Sequence, residues 1–365
     1  MTKKIVFFVG YSTKPWNANT MLPGGSEVAV VNISKRLVKF GHEVYVAGEV
    51  IDEDIDGVKW RNYNTFIEEF KDKPSYFHAI IGVNYIHMRQ YAELSNQTDA
   101  YQIFYMHNTD YFPWYKGEAI ENYEQQFKDI KHIICVSNWQ AEYILDNLYD
   151  GDCEGTIIQS LNNGINHKEF SHNISKDPTK FIWSSAIDRG LQGLLDNWWK
   201  IKQFMPDATL DVYYPEYSNP RVEGSSWHQP ALVEKLEFLK EEGVTEYGTV
   251  SQKELHLAMQ RASYWMYLTD YTETFCITAL EMAESNVLRI TTDVAALKER
   301  NRNGICIPRD KFENLETLYD EAIKVLRKSP RSLNEKVLKK AKDNNKIYTW
   351  DSPAYVFNEI AKNIN

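Results

Sequence analysis

The chain has 365 residues, 43% of them apolar and 25% charged, enough for a packed core in each of two ordinary globular domains and with no biased tract to read as disordered. Its net charge of −10 is uneven: residues 1–170 carry 15 Lys and Arg against 23 Asp and Glu, a balance of −8, and the remainder 26 against 28, a balance of −2. An acidic first half argues against a surface that gathers nucleic acid or anionic lipid, and no apolar run approaches the roughly eighteen residues of a bilayer span.

The start, "MTKKIVFFVGYSTKPW", reads as a first strand rather than a signal peptide. Its apolar run is short and Gly10 leads into polar residues, which places the expected protein in the cytoplasm. Compact apolar strands follow in "EVYVAG", "HAIIGV", "YQIFYMH" and "HIICVS", separated by helix-period segments such as "SEVAVVNISKRLVKFG", which ends at Gly41. After the polar stretch "NNGINHKEFSHNISKDPTK", read as a linker, a second series begins. It runs through "KFIWSS", a helix over "GLQGLLDNWWKIKQF" stopped by Pro206, "TLDVYY", a helix over "ALVEKLEFLKEEG" and "VTEYGTV". The helix "SQKELHLAMQRA" comes next, with Leu255, Met259 and Ala262 as its buried face, then "SYWMYL", "LRITTD" and "GICIP", and the series closes with helices around "LETLYDEAIKVLRK" and "LNEKVLKKAKDN". Alternation of this kind implies two α/β domains with parallel sheets covered by helices, and no internal repeat is visible.

The four cysteines, Cys135, Cys153, Cys276 and Cys306, never fall in a CxxC spacing, so reduced thiols are expected rather than a zinc site or a disulfide framework. The acidic clusters at residues 52–54 and 150–152 read as solvated loops, and no metal is expected. The segment "TDYTETFCITALEMAESN", residues 269–286, carries Glu273 and Glu281 at the ends of an apolar run. If a helix starts at Thr274, eight residues of rise put the two carboxylates about 12 Å apart. That is too far to flank one glycosidic bond, where about 5–9.5 Å is needed, and suits the holding of an elongated, partly polar ligand. The free amides of Thr274, Phe275 and Cys276 would then face that ligand, a row of donors suited to sugar hydroxyls. The alternative is a solvated Glu273 and a helix-surface Glu281. Gly24 and Gly25, ahead of Ser26 and the first helix, permit close approach of an anion, or form a plain turn with Ser26 as N-cap.

Together with "GGSE", "CVSNWQAEYIL", "NNGIN", "IDRGLQGLL", "YGTVSQKELHLAMQRASYWMYLTDYTETFCITALE" and "YTWDSPAYVF", these motifs resemble, in order and spacing over nearly the whole chain, the family 4 glycosyltransferases. That resemblance implies a GT-B fold: two Rossmann-like domains facing across a cleft, the first over 1–168 with a C-terminal helix, 350–365, returning to it, and the second over 169–349. It implies a retaining, metal-independent hexosyltransferase that needs no cofactor, with a nucleotide-sugar donor and a carbohydrate or glycan-like acceptor as partners. Glu281 matches the glutamate on the nucleotide ribose, and Glu273 the one facing donor sugar and diphosphate, with substrate contacts at Thr274, Phe275, Cys276 and Ile277. Arg189 falls where the family has a diphosphate-neutralising lysine, Gly24 and Gly25 match a loop near the diphosphate and acceptor, and Val250 matches a backbone contact to the base. His107 matches a histidine near the donor sugar. Two departures stand out: Ser184 replaces the family's arginine five residues before Arg189, and Asn286 replaces a glycine after the motif helix. A nucleotide-sugar epimerase on the same fold and a catalytically silent sugar-nucleotide binder are the alternatives.

Overall fold

Strands that are apolar almost without interruption have to be covered on both faces, and the chain meets that demand with two sheets. The structure, a computed structural model, describes residues 1–9, 14–20, 24–83, 99–109, 130–148, 151, 153 and 155–364. The chain divides into a first unit, Met1–Gly164 with Thr349–Asn365, and a continuous second unit, Ile165–Tyr348.

The first unit holds β1 (Lys4–Val9), β2 (Glu43–Gly48), β3 (Glu53–Ile55), β4 (Val58–Asn62), β5 (Ala79–Val83), β6 (Tyr101–Met106), β7 (His132–Cys135) and β8 (Ile157–Ser160). They form one sheet in the order β3-β4-β2-β1-β5-β6-β7-β8, parallel except where β3 turns back on β4. That hairpin corrects the loop expected at residues 52–54: Asp56 and Gly57 take φ of +51° and +79°, the conformation of a two-residue hairpin turn, and Glu53 and Asp54 lie in the edge strand. Asp54 pairs with Arg61 at 2.7 Å and Glu53 accepts from the Asn17 amide at 2.8 Å, so both are spent on the sheet edge. Asp150 and Asp152 lie outside the described residues.

Described helices of this unit are α1 (Gly25–Lys39), α2 (Tyr63–Phe70), α3 (Asn138–Leu148) and the C-terminal helix Asp351–Asn363. The last packs against α1 and over the sheet: Phe357 meets Phe7 with ring centroids 5.9 Å apart and Tyr105 at 5.3 Å. Arg36 bonds Asp351 at 2.6 Å, and His42 lies 3.0 Å from the Asn358 side chain.

The second unit holds β9 (Lys180–Ser184), β10 (Thr209–Tyr213), β11 (Val244–Gly248), β12 (Tyr264–Tyr267), β13 (Leu288–Thr292) and β14 (Ile305–Ile307), all parallel, in the order β11-β10-β9-β12-β13-β14. Counted along the chain this is 3-2-1-4-5-6, the doubly wound Rossmann order, whose direction reverses between β9 and β12. Its helices are α4 (Leu191–Asp196), α5 (Trp198–Phe204), α6 (Pro230–Phe238), α7 (Gln252–Arg261), α8 (Ile277–Glu284), α9 (Leu297–Arg300), α10 (Leu315–Lys328) and α11 (Glu335–Asn345). The single helix expected before Pro206 is two. Asn197 breaks it by turning its side-chain amide onto the Gly193 carbonyl at 2.9 Å, a local bond that competes with the helix ladder. Met259 and Ala262 of the expected α7 face are fully buried, but Leu255 only skirts the core, and His256 and Gln260 also point inward.

Candidate functional site

In an open parallel sheet the strand ends diverge where the order reverses, leaving a crevice at their carboxyl edge. In the second unit that place lies beyond Ser184 of β9 and Tyr267 of β12, and the two segments leaving it carry Arg189 and Glu273. Arg189 ends a short 3-10 turn, Ile187–Arg189, and Gly190 follows with φ of +115°. A Cβ at Gly190 would sit 2.6 Å from the Leu268 carbonyl oxygen, so only glycine lets the two segments touch. Arg189 Nη1 lies 3.2 Å from Glu273 Oε1, Nη2 bonds the Tyr271 hydroxyl at 3.3 Å, and the guanidinium stands 4.1 Å over the Tyr271 ring. The Tyr267 hydroxyl donates to the same Glu273 oxygen at 2.6 Å. Burial and the neighbouring carboxylate hold that phenol far above its ordinary range, so it stays a neutral donor. Glu273 is 5% exposed, and the buried Nε of Arg189 has no hydrogen-bond acceptor among the described residues.

The segment after Glu273 departs from the expected helix. α8 begins at Ile277, and its N-cap Cys276 is left-handed, with φ of +64° and ψ of +76°. The helical rise assumed from Thr274 therefore does not apply. The amides of Thr274, Phe275 and Cys276 are loop amides, and Ile277 opens the helix. The loop is pinned: the Ala296 amide donates to the Glu273 carbonyl at 2.9 Å, and the buried Phe275 ring lies under the Arg300 guanidinium at 4.5 Å. At the other end Asn286 takes φ of +58°, with Asn286 N–H on the Ala283 carbonyl at 3.0 Å and Val287 N–H on Met282 at 2.9 Å. This is a Schellman stop in which asparagine, the side chain that best tolerates the left-handed region, does a glycine's work.

Glu281 belongs to a second network. Its Oε1 lies 3.3 Å from His256 Nε2, and His256 Nδ1 lies 2.9 Å from Glu169 Oε2, so one buried imidazole of α7 bridges two carboxylates. Burial alone would lower the imidazole's pKa, and the two carboxylates outweigh it, lifting the ring to about 9. The sequence reading missed His256. Its signal was present: a histidine three residues before the inward-facing Met259, on a helix preceding the motif segment.

The remaining candidates fall as follows. Val250 follows β11 and packs partly buried on the second unit's core, and Ser184 ends β9 at 8% exposure. Gly24 is the N-cap of α1, with extended backbone, and Gly25 is its first residue. Ser26 lies inside the first turn, where its hydroxyl bonds Glu27 at 2.9 Å, and so is not the cap. His107 follows β6, buried, its ring 4.3 Å from Tyr105, and burial drives its pKa down to about 3, leaving a neutral imidazole. Among the described residues no His, Cys, Asp and Glu cluster fits a metal ion, and no helix is long and apolar enough to cross a membrane.

Solved structures resemble the chain over its whole length. A sucrose-phosphate synthase from Thermosynechococcus elongatus matches with a TM-score of 0.75 at 15% identity, covering 99% of this chain and 98% of its own. Anabaena HepE, solved with UDP and glucose, matches with a TM-score of 0.71 at 11% identity, covering 99% of both chains. WaaG, a glycosyltransferase of lipopolysaccharide biosynthesis, matches at 0.69 and 15% identity, covering 99% of both. The fold is GT-B. No family model and no curated protein matches the sequence. Within the GT-B fold, the Arg189–Glu273 pair occupies the carboxyl edge of the second unit's sheet.

Proposed function

We propose that the protein is a glycosyltransferase that moves a hexose-type sugar from a nucleoside diphosphate to a carbohydrate or glycan-like acceptor with retention at the anomeric carbon. The observation that carries this reading is the Arg189 guanidinium: partly buried, aligned by Glu273 and Tyr271, at the sheet's reversal point, with Nε unspent. A buried donor without an acceptor is costly, and a phosphate oxygen would satisfy it with a charge-assisted bond. The GT-B likeness supports the same reading, and HepE's structure with UDP-glucose supplies the donor class.

In this reading the Arg189 side chain and the opening amides of α8 compensate the diphosphate, Glu273 holds the sugar and Glu281 the ribose, while Val250 backbone lies toward the base. His107, neutral, and Gly24–Gly25 are the first unit's candidates for the sugar and acceptor. The bond from C1 to the phosphate oxygen breaks as the acceptor oxygen bonds C1 on the same face. The acceptor's proton passes to the departing phosphate, and no enzyme nucleophile is used. The charge that develops on the leaving group is met by fixed donors, so the reading takes no metal. The four free cysteines suit a reducing, cytoplasmic setting.

A nucleotide and nucleotide-sugar thermal-shift panel, then linkage analysis of the product made with the best donor, tests the proposal. Transfer with a retained α or β configuration and full activity in EDTA is the expected result. An inverted product, or activity lost on chelation and restored by manganese, overturns the corresponding part. An epimerised donor with no transfer would favour the epimerase.

A further inference from the structure

Glu281 presents its two carboxylate oxygens differently. Oε1 is taken by His256, and Oε2 has no hydrogen bond among the described residues. We propose that His256 is a positioning residue: it holds Oε1 so that Oε2 alone faces the nucleotide ribose, and Glu169 in turn sets the imidazole. The inference rests on the assignment of Glu281 to the ribose.

The ring's surroundings support it. Glu169 and Phe170 belong to a four-residue 3-10 turn, His167–Phe170, that docks on α7. The Phe170 ring lies 4.5 Å from the imidazole, and Gln260 ties the turn to α7 by donating to the Glu169 carbonyl at 3.1 Å while accepting from the His172 amide at 3.2 Å. The charged groups facing the ring are Glu169 from that turn and Glu281 from α8. A neutral imidazole has one N–H and one lone pair, so it can hold only one carboxylate and must turn a lone pair on the other. The protonated ring donates to Glu281 through Nε2 and brings its charge to within 2.9 Å of Glu169 at Nδ1. Two flanking carboxylates favour that form, consistent with the raised pKa of about 9. A glutamate on a helix surface is otherwise free to change rotamer, and a ligand would have to order it on binding. With His256 in place that ordering precedes the ligand.

The test is calorimetric titration of UDP, ADP and GDP, carried forward with the tightest, between pH 7 and 10 on the wild type, Glu169→Gln, His256→Gln and Glu281→Gln. The wild type should lose affinity as His256 gives up its proton. In Glu169→Gln, with one carboxylate gone, that loss should begin about one pH unit lower. His256→Gln should bind about tenfold more weakly at pH 7.5, in line with a lost charged hydrogen bond, and show only the alkaline fall that the nucleotide itself causes. The nucleotide's ionisation is common to every variant, so the displacement in Glu169→Gln reports the imidazole. Melting curves check folding, and Glu169, about half exposed, supplies a variant that does not open the core if His256→Gln fails to fold. Wild-type binding at every pH by Glu169→Gln and by His256→Gln, with Glu281→Gln weakened, would leave His256 a purely structural residue and overturn the inference. Unchanged binding by Glu281→Gln would instead overturn the ribose assignment, and the positioning role with it.

Discussion

At the scale of single residues, the candidate site sets Arg189 against Glu273 and His256 against Glu281, so its two carboxylates do not share partners. Arg189 is the only cation paired with Glu273 among the described residues. Arg189→Ala should therefore lower kcat/KM by at least about 100-fold, the scale of a lost oxyanion stabiliser, in a donor turnover assay. A fully active variant would overturn the proposed assignment of Arg189 to the diphosphate. The two glutamates should separate in kinetics. Glu281→Ala should weaken nucleotide binding by about 1.5–3 kcal/mol for each charged hydrogen bond lost, while Glu273→Ala should reduce turnover more than nucleotide affinity. Tyr267→Phe follows Glu273, because it removes the hydroxyl that orients the carboxylate at 2.6 Å: kcat should fall with the nucleotide Kd unchanged, and a change in Kd alone would count against it.

At the scale of elements, the corners of the motif segment set its geometry. Asn286→Ala should cost about 1–2 kcal/mol in urea unfolding, the penalty of a left-handed residue without asparagine's local hydrogen bonding, and Asn286→Gly should be nearly neutral. Gly190→Ala should be worse, since both its φ and the Leu268 carbonyl forbid a Cβ. The expected readout is a lowered melting temperature and impaired diphosphate binding, because Arg189 immediately precedes Gly190. The strands and their alternation with helices were legible because apolar runs of strand length have no other place than a two-faced sheet, and Arg189 and Glu273, which the structure pairs, were singled out through motif order. The rest escaped for local reasons. Asn197 splits α4 from α5 through a side-chain bond that periodicity does not register, and Cys276 starts α8 three residues late by taking a conformation that its residue type gives no reason to expect. His256 was passed over because a helix pattern read for apolar residues takes a charged, buried histidine as outward-facing.

At the scale of the whole molecule, the bridged histidine ties stability to pH. The folded-state pKa of His256 is raised above its unfolded value, so its stabilising contribution is complete below about pH 6.5 and is lost as pH rises through about 9. Urea midpoints of the wild type should fall between pH 6.5 and 9.5 by more than those of His256→Gln; parallel curves would show that the bridge contributes nothing to folding. A different consequence follows from the C-terminal helix, which lies on α1 and fills the space beside Phe7 and Tyr105. Synthesis runs from the amino end, so the first unit to emerge cannot close its own core, whereas the second, being continuous in the chain, can fold as soon as it is out of the ribosome. Chains truncated at residue 348 and released from the ribosome should show a protease-resistant second unit and a labile first one, and resistance of the first should appear only when residues 351–363 are restored. The half of the molecule made earliest is thus the half finished last, and for that interval its bare helix-docking face is a surface for chaperones to guard.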